Sequence, residues 1–370
     1  MNAFMKRRST GFSLVEVVVG LAIGMISMTI IMQVFSVFEG GKRTATAGAD
    51  AQNNGAIALY MIEQDARMAG WGMDTSIYAN CNSAYSYCDG SAVCGGSAGP
   101  LSDLSFTALK VTDGGAGPDT LSAQYYSDPD ISTFRLPGNT SLRSSMPQSS
   151  SELNVGSVSG CEVGDMVLVA QAGSCTLMQI TQIQDQALKI QHNPGSSGPF
   201  NPPANYQNSN NWPAYTTGAR LSCFKPPSNG ALFKRTYSVN TTTRQLMLTN
   251  DEGTQPTVPE IFDLQVQYGV APAGSQDVND WVDASGTDWA NPTNVNARRI
   301  KAVRVALVAR STQYEKPESG PCITTTQEMV DDWSTWAVFN TANYPSDWQC
   351  YRYKVFETVV PLRNVIWGNL

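Results

Sequence analysis

The 370-residue sequence predicts an α+β protein, one long N-terminal helix followed by an enlarged β-rich C-terminal body. Three observations carry that expectation. An apolar run from Phe12 to Phe38 continues into an Ala- and Gln-rich helical pattern; short apolar segments punctuated by Gly, Pro, Asn and Asp occupy the chain from residue 73 onward; and charged residues make up only 15% of the chain. Low charge with abundant turn residues is the profile of exported β-structure rather than of a cytosolic helical enzyme. The length suits one large domain or two of ordinary size, since domains run to roughly 100–200 residues.

The apolar run holds 27 residues, with Glu16 as its only charge. At ~1.5 Å per residue a helix of this length exceeds the ~30 Å hydrocarbon core of a bilayer, so it can span a membrane. Lys6, Arg7 and Arg8 precede it and place the N-terminus on the cytoplasmic side, the bulk of the chain beyond the membrane. The run leads into VFEGGKRTATAGADAQ, which offers no small-residue A-x-A cleavage site, so the hydrophobic segment is retained. A simple signal anchor is the competing reading, and Glu16 argues against it. A carboxylate in an apolar helix costs roughly 2.5–3.5 kcal/mol at the centre, less toward the interface, and marks function. A cut after Gly11 would give Phe12 a new amino group, four residues from Glu16, that a neighbouring subunit's carboxylate could meet.

Beyond Gly40-Gly41, a weak point, the helical pattern runs through IALYMIEQDARMAG. There Ile57, Tyr60, Met61 and Met68 share one face and are expected to pack on the core. Gly70 and Gly72 close the helix. DTLSAQYY, DMVLVAQ, TLMQITQIQ, IFDLQVQYGV, KAVRVALVAR and YKVFETVVPL then read as strands of antiparallel sheets. Residues 195–220, rich in Pro, Asn, Ser and aromatics, read as a surface loop. No internal repeat is evident.

Charge and cysteines bound the function. The formal charge is −7, and without the three basic leader residues it is −10; after residue 43 the Lys and Arg residues are scattered. That is no footprint for a nucleic-acid partner. Eight cysteines in an exported chain favour disulfides. Sequence neighbourhood suggests Cys161 with Cys175 across a hairpin, Cys322 with Cys350 across a loop, and two pairs drawn from Cys81, Cys88, Cys94 and Cys223. With no CxxC and His192 as the only histidine, structural zinc is disfavoured.

Gly11-Phe12-Ser13-Leu14-Val15-Glu16, preceded by basic residues, resembles the class III signal of type IV prepilins. The resemblance implies cleavage by a prepilin peptidase after Gly11, N-methylation of Phe12, and subunit docking through Glu16. Further segments, taken in order, resemble the PilW family of large minor pilins: Asp65 to Gly70, Val266 to Val270, Val303 to Arg310 and Val359 to Asn364. That resemblance implies a pilin-like fold, the long N-terminal helix packed on antiparallel β-sheet. The expected divisions are a leader over 1–11, a transmembrane and assembly helix over 12–38, the rest of the helix over 39–72 and a periplasmic or extracellular body over 73–370. The stretches 81–99, 195–220 and 315–350 match no family pattern, and the subunit's individuality is expected there.

Other chemistry is weaker. Gly95-Gly96-Ser97-Ala98-Gly99 matches the G-x-S-x-G elbow but lacks the strand before and the helix after. His192 reads as a turn residue at a strand end. Asp277, Asn279, Asp280 and Asp283, with Asp288 nearby, cluster oxygen ligands suited to calcium, yet EF-hand spacing fails and a solvated turn is preferred. Trp281 and Trp289 in the same region either cap the core edge or meet a partner. No enzyme, resident metal or cofactor is expected.

The leading expectation is a non-catalytic minor pilin at the pilus tip, priming assembly. Its partners would be other minor pilins, the major pilin, prepilin peptidase, the inner-membrane assembly platform and a tip adhesin. It would sit first in the inner membrane and then in the extracellular pilus. The alternatives are a J-type minor pseudopilin of a type II secretion system, and an adhesin or binding module using residues 195–220.

Overall fold

The computed structural model describes residues 11, 13–72, 81, 83–92, 96–101, 107–126, 138–148, 152–195, 198–225, 233–250, 252–315, 317 and 319–367. One helix, Leu14–Met68, runs unbroken through Gly40-Gly41. It ends where Gly70 and Gly72 take φ of +78° and +74°, a region that costs glycine little. The helix end is also capped from the other end of the chain. The Asn364 side-chain amide lies 3.2–3.3 Å from the carbonyls of Arg67, Met68 and Ala69, three of the acceptors that a helix C-terminus leaves without partners.

Two antiparallel sheets receive the helix. One has four strands in the order Asp280–Asp283, Ile261–Val270, Ile300–Arg310 and Tyr353–Pro361. The other has five, in the order Gly253–Pro259, Gln245–Asn250, Phe233–Asn240, Thr120–Tyr125 and Leu109–Thr112. Apolar and aromatic residues at alternate positions, such as Leu264, Val266, Tyr268, Val303, Val305 and Leu307, build one core with the helix residues Ala58, Ile62, Ala66 and Ala69. The architecture is thus α+β, a long apolar helix on a mostly antiparallel β-body.

The buried helix face differs from the expected one. Ile57 and Tyr60 are exposed, and the face toward the sheets is Ala51, Gly55, Ala58, Ile62, Ala66 and Ala69. Small side chains bring the helix axis close to the sheet. A Cβ on Gly55 would lie 2.0 Å from the Phe356 ring, so any other residue here would force the ring to move.

Thr120–Tyr125 and Phe233–Asn240 are hydrogen-bonded neighbours, so the chain between them leaves the sheet and returns. That excursion carries its own five-stranded sheet in the order Ser83–Tyr85, Ser174–Gln179, Met166–Gln171, Arg220–Phe224 and Gly138–Ser141, its first strand contributed from just upstream. Only the Ser83–Tyr85 pairing is parallel. The expected strand TLMQITQIQ divides: Ser174–Gln179 belongs to this sheet, and Gln182–Gln184 to a three-stranded sheet with Lys189–Gln191 and Glu152–Asn154.

Both faces of the five-stranded sheet are covered, and this corrects the expected cysteine pairing. Val167, Val169 and Cys223 point into one cluster with Cys161, while Met166, Leu168 and Cys175 point into the other. Cys161 and Cys175 lie on opposite faces and cannot meet. The bonds are Cys161–Cys223 and Cys81–Cys175. Cys322–Cys350 closes the 315–350 segment. Cys88 is also disulfide-bonded, and Cys94 lies outside the described residues.

Residues 195–220 are not a free surface loop. Phe200, Trp212 and Tyr215 are buried, a helix spans Ala204–Ser209, and the Tyr215 hydroxyl lies 2.6 Å from Thr176 Oγ1. Tyr206 meets Tyr87 and Trp212 edge-on. The aromatics that suggested a ligand surface instead supply the apolar lid of the excursion's core.

Candidate functional site

The N-terminal end of the long helix is the first candidate site. Ser13 adopts extended backbone and caps the helix: its Oγ accepts from the Val15 N–H at 3.4 Å, and the Glu16 carboxylate accepts from the Ser13 N–H at 3.0 Å. Reciprocal satisfaction of two terminal groups is a capping box, and a carboxylate in the first turn also suits the positive end of the helix dipole. Glu16 is thereby fixed beside the point where the chain enters the helix. Gly11 is exposed, whereas Phe12 and the leader residues 1–10, including Lys6, Arg7 and Arg8, lie outside the described residues.

From Leu14 to Glu39 the helix is long and apolar enough to cross a membrane, and none of its most apolar stretch is buried within the chain. Large apolar side chains point in every direction, including Leu14, Val18, Leu21, Ile26 and Phe35. A helix apolar all round needs an apolar surrounding, either lipid or other helices.

Where the helix meets the body, a carboxylate interrupts the alanine stripe. Asp65 is 3% exposed and accepts from the Tyr125 hydroxyl at 2.8 Å and from the Tyr237 hydroxyl. Arg235 Nη1 lies 3.3 Å from its second oxygen. Burial, with Asp65 close by, pushes both tyrosine hydroxyls well above their ordinary range, so both remain protonated donors. This polar clasp joins the helix to the strands Thr120–Tyr125 and Phe233–Asn240. Its sequence signal is a lone acid on a small-residue stripe, a type almost never fully buried without partners. In the sequence Asp65 stood out only as the first residue of a family segment.

The remaining predicted positions do not converge. Asp280 and Asp283 are the two ends of one strand, three residues apart and so directed to opposite faces. Asp283 Oδ1 accepts from Gln267 Nε2 at 2.6 Å and Asp280 Oδ1 from the Trp281 N–H at 2.8 Å. The Asp277 N–H donates to Ser275 Oγ, and the Asn279 N–H to the Val270 carbonyl. Among the described residues, no group of three or more His, Cys, Asp or Glu could hold a metal ion. Trp281 packs on Gly269 and beneath Arg304, and Trp289 packs on the main core beneath Arg299. His192 comes directly after the strand Lys189–Gln191 and is buried, with its ring pushed down to about 4 by desolvation, which keeps it neutral. Ser97 sits in a bend before the two-residue strand Ala98–Gly99, and Gly95 lies outside the described residues.

The chain thus combines an all-round apolar helix, long enough to cross a membrane, with a helix-on-sheet body. Residues 6–32 match the prokaryotic N-terminal methylation motif, and residues 221–364 match PilW, described as type IV pilus-assembly protein W. The two matches are those of a PilW-family pilin with a prepilin signal; they support a type IV pilus-related minor pilin, and the methylation motif with the apolar helix supports membrane anchoring and pilus association. Comparison with curated proteins and with solved structures gives no match. The PilW match begins at the excursion's Arg220–Phe224 strand, so most of the cysteine-linked excursion falls outside it.

Proposed function

We propose that this chain is a non-catalytic minor pilin of the tip and initiation complex, which primes assembly of a type IV pilus. The observation that supports this reading most is the contrast between its two parts. A 26-residue apolar helix free of the body is built to pack among like helices, yet it carries a body with two helix-bearing sheets and an additional cysteine-linked sheet module. Such bulk crowds a repetitive shaft and fits at its end.

In this reading prepilin peptidase cuts after Gly11, Phe12 becomes the N-methylated first residue, and the body lies on the far side of the membrane from Lys6, Arg7 and Arg8. Glu16 then docks onto a neighbouring subunit by exchanging its own Ser13 N–H for that neighbour's amine. Mass spectrometry of the mature N-terminus tests the processing: the expected terminus is N-methylated Phe12, and an uncut Met1 or a cut beyond Phe38 refutes it. Immunogold labelling tests the placement, with gold expected at pilus ends; even labelling along the shaft refutes it. The PilW match over 221–364 supports a pilus over a secretion pseudopilus. A deletion strain that keeps its pili but loses exoprotein secretion would reverse that preference.

A further inference from the structure

The four-stranded sheet has a second face, opposite the helix. Phe356 and Val360 of its edge strand point to the helix side, while Tyr353 and Val355 point to the other, where Phe262, Ala306, Val308, Phe339 and Tyr344 form a separate core. On this outer face lies a cleft of about 500 Å³. Its floor is formed by Gln265, Gln267 and Asp283; one wall is the turn carrying Asp113 and Asp119; the other is the 327–341 segment, with Gln327, Asp331, Trp336 and Phe339. The walls are fastened to each other. Asn343 Nδ2 donates to the Ala116 carbonyl at 2.5 Å, and Gln265 Nε2 to the Gly117 carbonyl at 3.2 Å. The cleft is therefore preformed, with a size in the range of small-molecule sites.

Its polar groups are held in one orientation. Gln267 donates to Asp283 and accepts from Arg304; Gln327 donates to Asp331 at 2.9 Å and accepts from Thr341 at 2.8 Å. Asp119 accepts the Gly114 and Val266 N–H groups, and Asp113 Oδ1 that of Gly115. Gln265 thus spends both its amide donors internally, on Gly117 and Asp263, and Gln267 and Gln327 each spend one on an aspartate. The second oxygens of Asp113, Asp283 and Asp331 accept nothing among the described residues. The cleft consequently presents fixed acceptors beside an aromatic and aliphatic wall, with Val338 81% exposed at its lip. An occupant must bring several directed donors and an apolar face. Among the described lining residues none is basic, which disfavours phosphate, sulfate or carboxylate ligands. Arg304, stacked on Trp336 at 4.4 Å and bonded to Gln267, offsets the Asp283 charge, and Asp119 spends both its oxygens on the Gly114 and Val266 N–H groups, which leaves Asp113 and Asp331 as the acceptors that an occupant's donors would meet.

We propose that this cleft is a binding site for a neutral saccharide, its hydroxyls donating to the carboxylate row and its C–H face packing against Trp336 and Val338. The cleft opens away from the helix-bearing face of the sheet, so helix packing within a filament leaves it accessible. Saccharide binding here is independent of the tip placement. The ligand surface thereby moves from residues 195–220, which are packed, to a cleft that joins Asp283 to part of the 315–350 stretch.

The test uses the full-length chain in a zwitterionic detergent without sugar headgroups, applied to an array of neutral mono- to tetrasaccharides and, in parallel, to an array of basic peptides. Retention of at least one neutral glycan is expected, weakened about tenfold or more by Asp331→Asn and by Trp336→Ala. Asp331 is exposed, so Asp331→Asn keeps the test valid should Trp336→Ala fail to fold, and circular dichroism distinguishes the two cases. No retained neutral glycan, equal retention by folded variants, or binding confined to the basic peptides overturns the assignment.

Discussion

Replacing Asp65 by alanine is the most informative single perturbation of the body, because the carboxylate collects donors from two strands onto the helix. A hydrogen bond to a charged group contributes about 1.5–3 kcal/mol, so the two tyrosine hydroxyls account for about 3–6 kcal/mol. Arg235 is a third exposed on its side chain and adds no more than about 1 kcal/mol after solvent screening. Deleting the carboxylate relieves its own desolvation but strands the Tyr237 hydroxyl, whose other acceptor is the Met61 carbonyl at a long 3.4 Å. The expected net loss is about 3–5 kcal/mol, the range for breaking a buried charged interaction from one side. Against a typical stability of about 5–15 kcal/mol, that is a large fraction. Asp65→Asn, which keeps one acceptor and the volume, should fall between. Urea unfolding of the full chain in detergent, monitored by near-ultraviolet circular dichroism, reads the change. A double-mutant cycle with Tyr125→Phe should give a coupling of about 1–3 kcal/mol. A loss below about 1 kcal/mol for Asp65→Ala, or a cycle additive within about 0.5 kcal/mol, would refute the clasp.

Three further outcomes rest on the same geometry. Gly55→Ala should destabilise by about 1–3 kcal/mol through overlap with Phe356, and Phe356→Leu in the same chain should recover part of it; a neutral Gly55→Ala refutes the close approach. Replacing Cys322 and Cys350 together by serine should cost about 3–4 kcal/mol by loop entropy, since the bridge spans 28 positions, and peptide mapping without reduction should return Cys81–Cys175 and Cys161–Cys223 but no Cys161–Cys175 peptide. Burial raises Asp119 and Asp263 from 3.8 to about 6 in the folded chain, so the native state holds protons that the unfolded chain releases. Their contribution is therefore most favourable below about pH 4, is lost as pH rises toward about 6, and then stays level, on the order of 2–3 kcal/mol per group. Asp263→Asn should flatten the decline between pH 4 and 6.5 relative to the parent chain, and identical profiles would refute the assignment.

The long helix was legible because its signals are local: an apolar run with one acid near its start, and two glycines where the helix stops. Strand segments such as Ile261–Val270 and Ile300–Arg310 were legible for the same reason, through short apolar runs between turn residues. What was misread depends on which face a residue occupies after the sheets have paired. Cys161 and Cys175 are close in sequence, but a strand reverses its face at every residue, so only the register separates them onto opposite sides. Ile57 and Tyr60 are hydrophobic yet exposed, so hydrophobicity alone does not mark the buried face of this helix. The buried stripe is instead alanine and glycine, selected for small volume, and a hydropathy pattern does not register it. The outer cleft was hidden more deeply still, since it joins residues 113–119, 265–283 and 327–341, which only tertiary pairing brings together.

The way the excursion leaves and re-enters one sheet has a mechanical consequence. Tension applied along the N-terminal helix passes into the body through Gly55 on Phe356, Lys354 on Gln52, Asp65 on Tyr125 and Tyr237, and Asn364 on the helix end. The two neighbouring strands at the excursion's base, Thr120–Tyr125 and Phe233–Asn240, are zipped to each other and carry that load between them. The cysteine-linked module is tied to the helix end by a second route, the Cys81–Cys175 bond and the Ser83–Tyr85 strand, so it shares the pull with those two strands. Cutting that second route, by reducing the Cys81–Cys175 bond, would leave the two zipped strands as the principal path between helix and module.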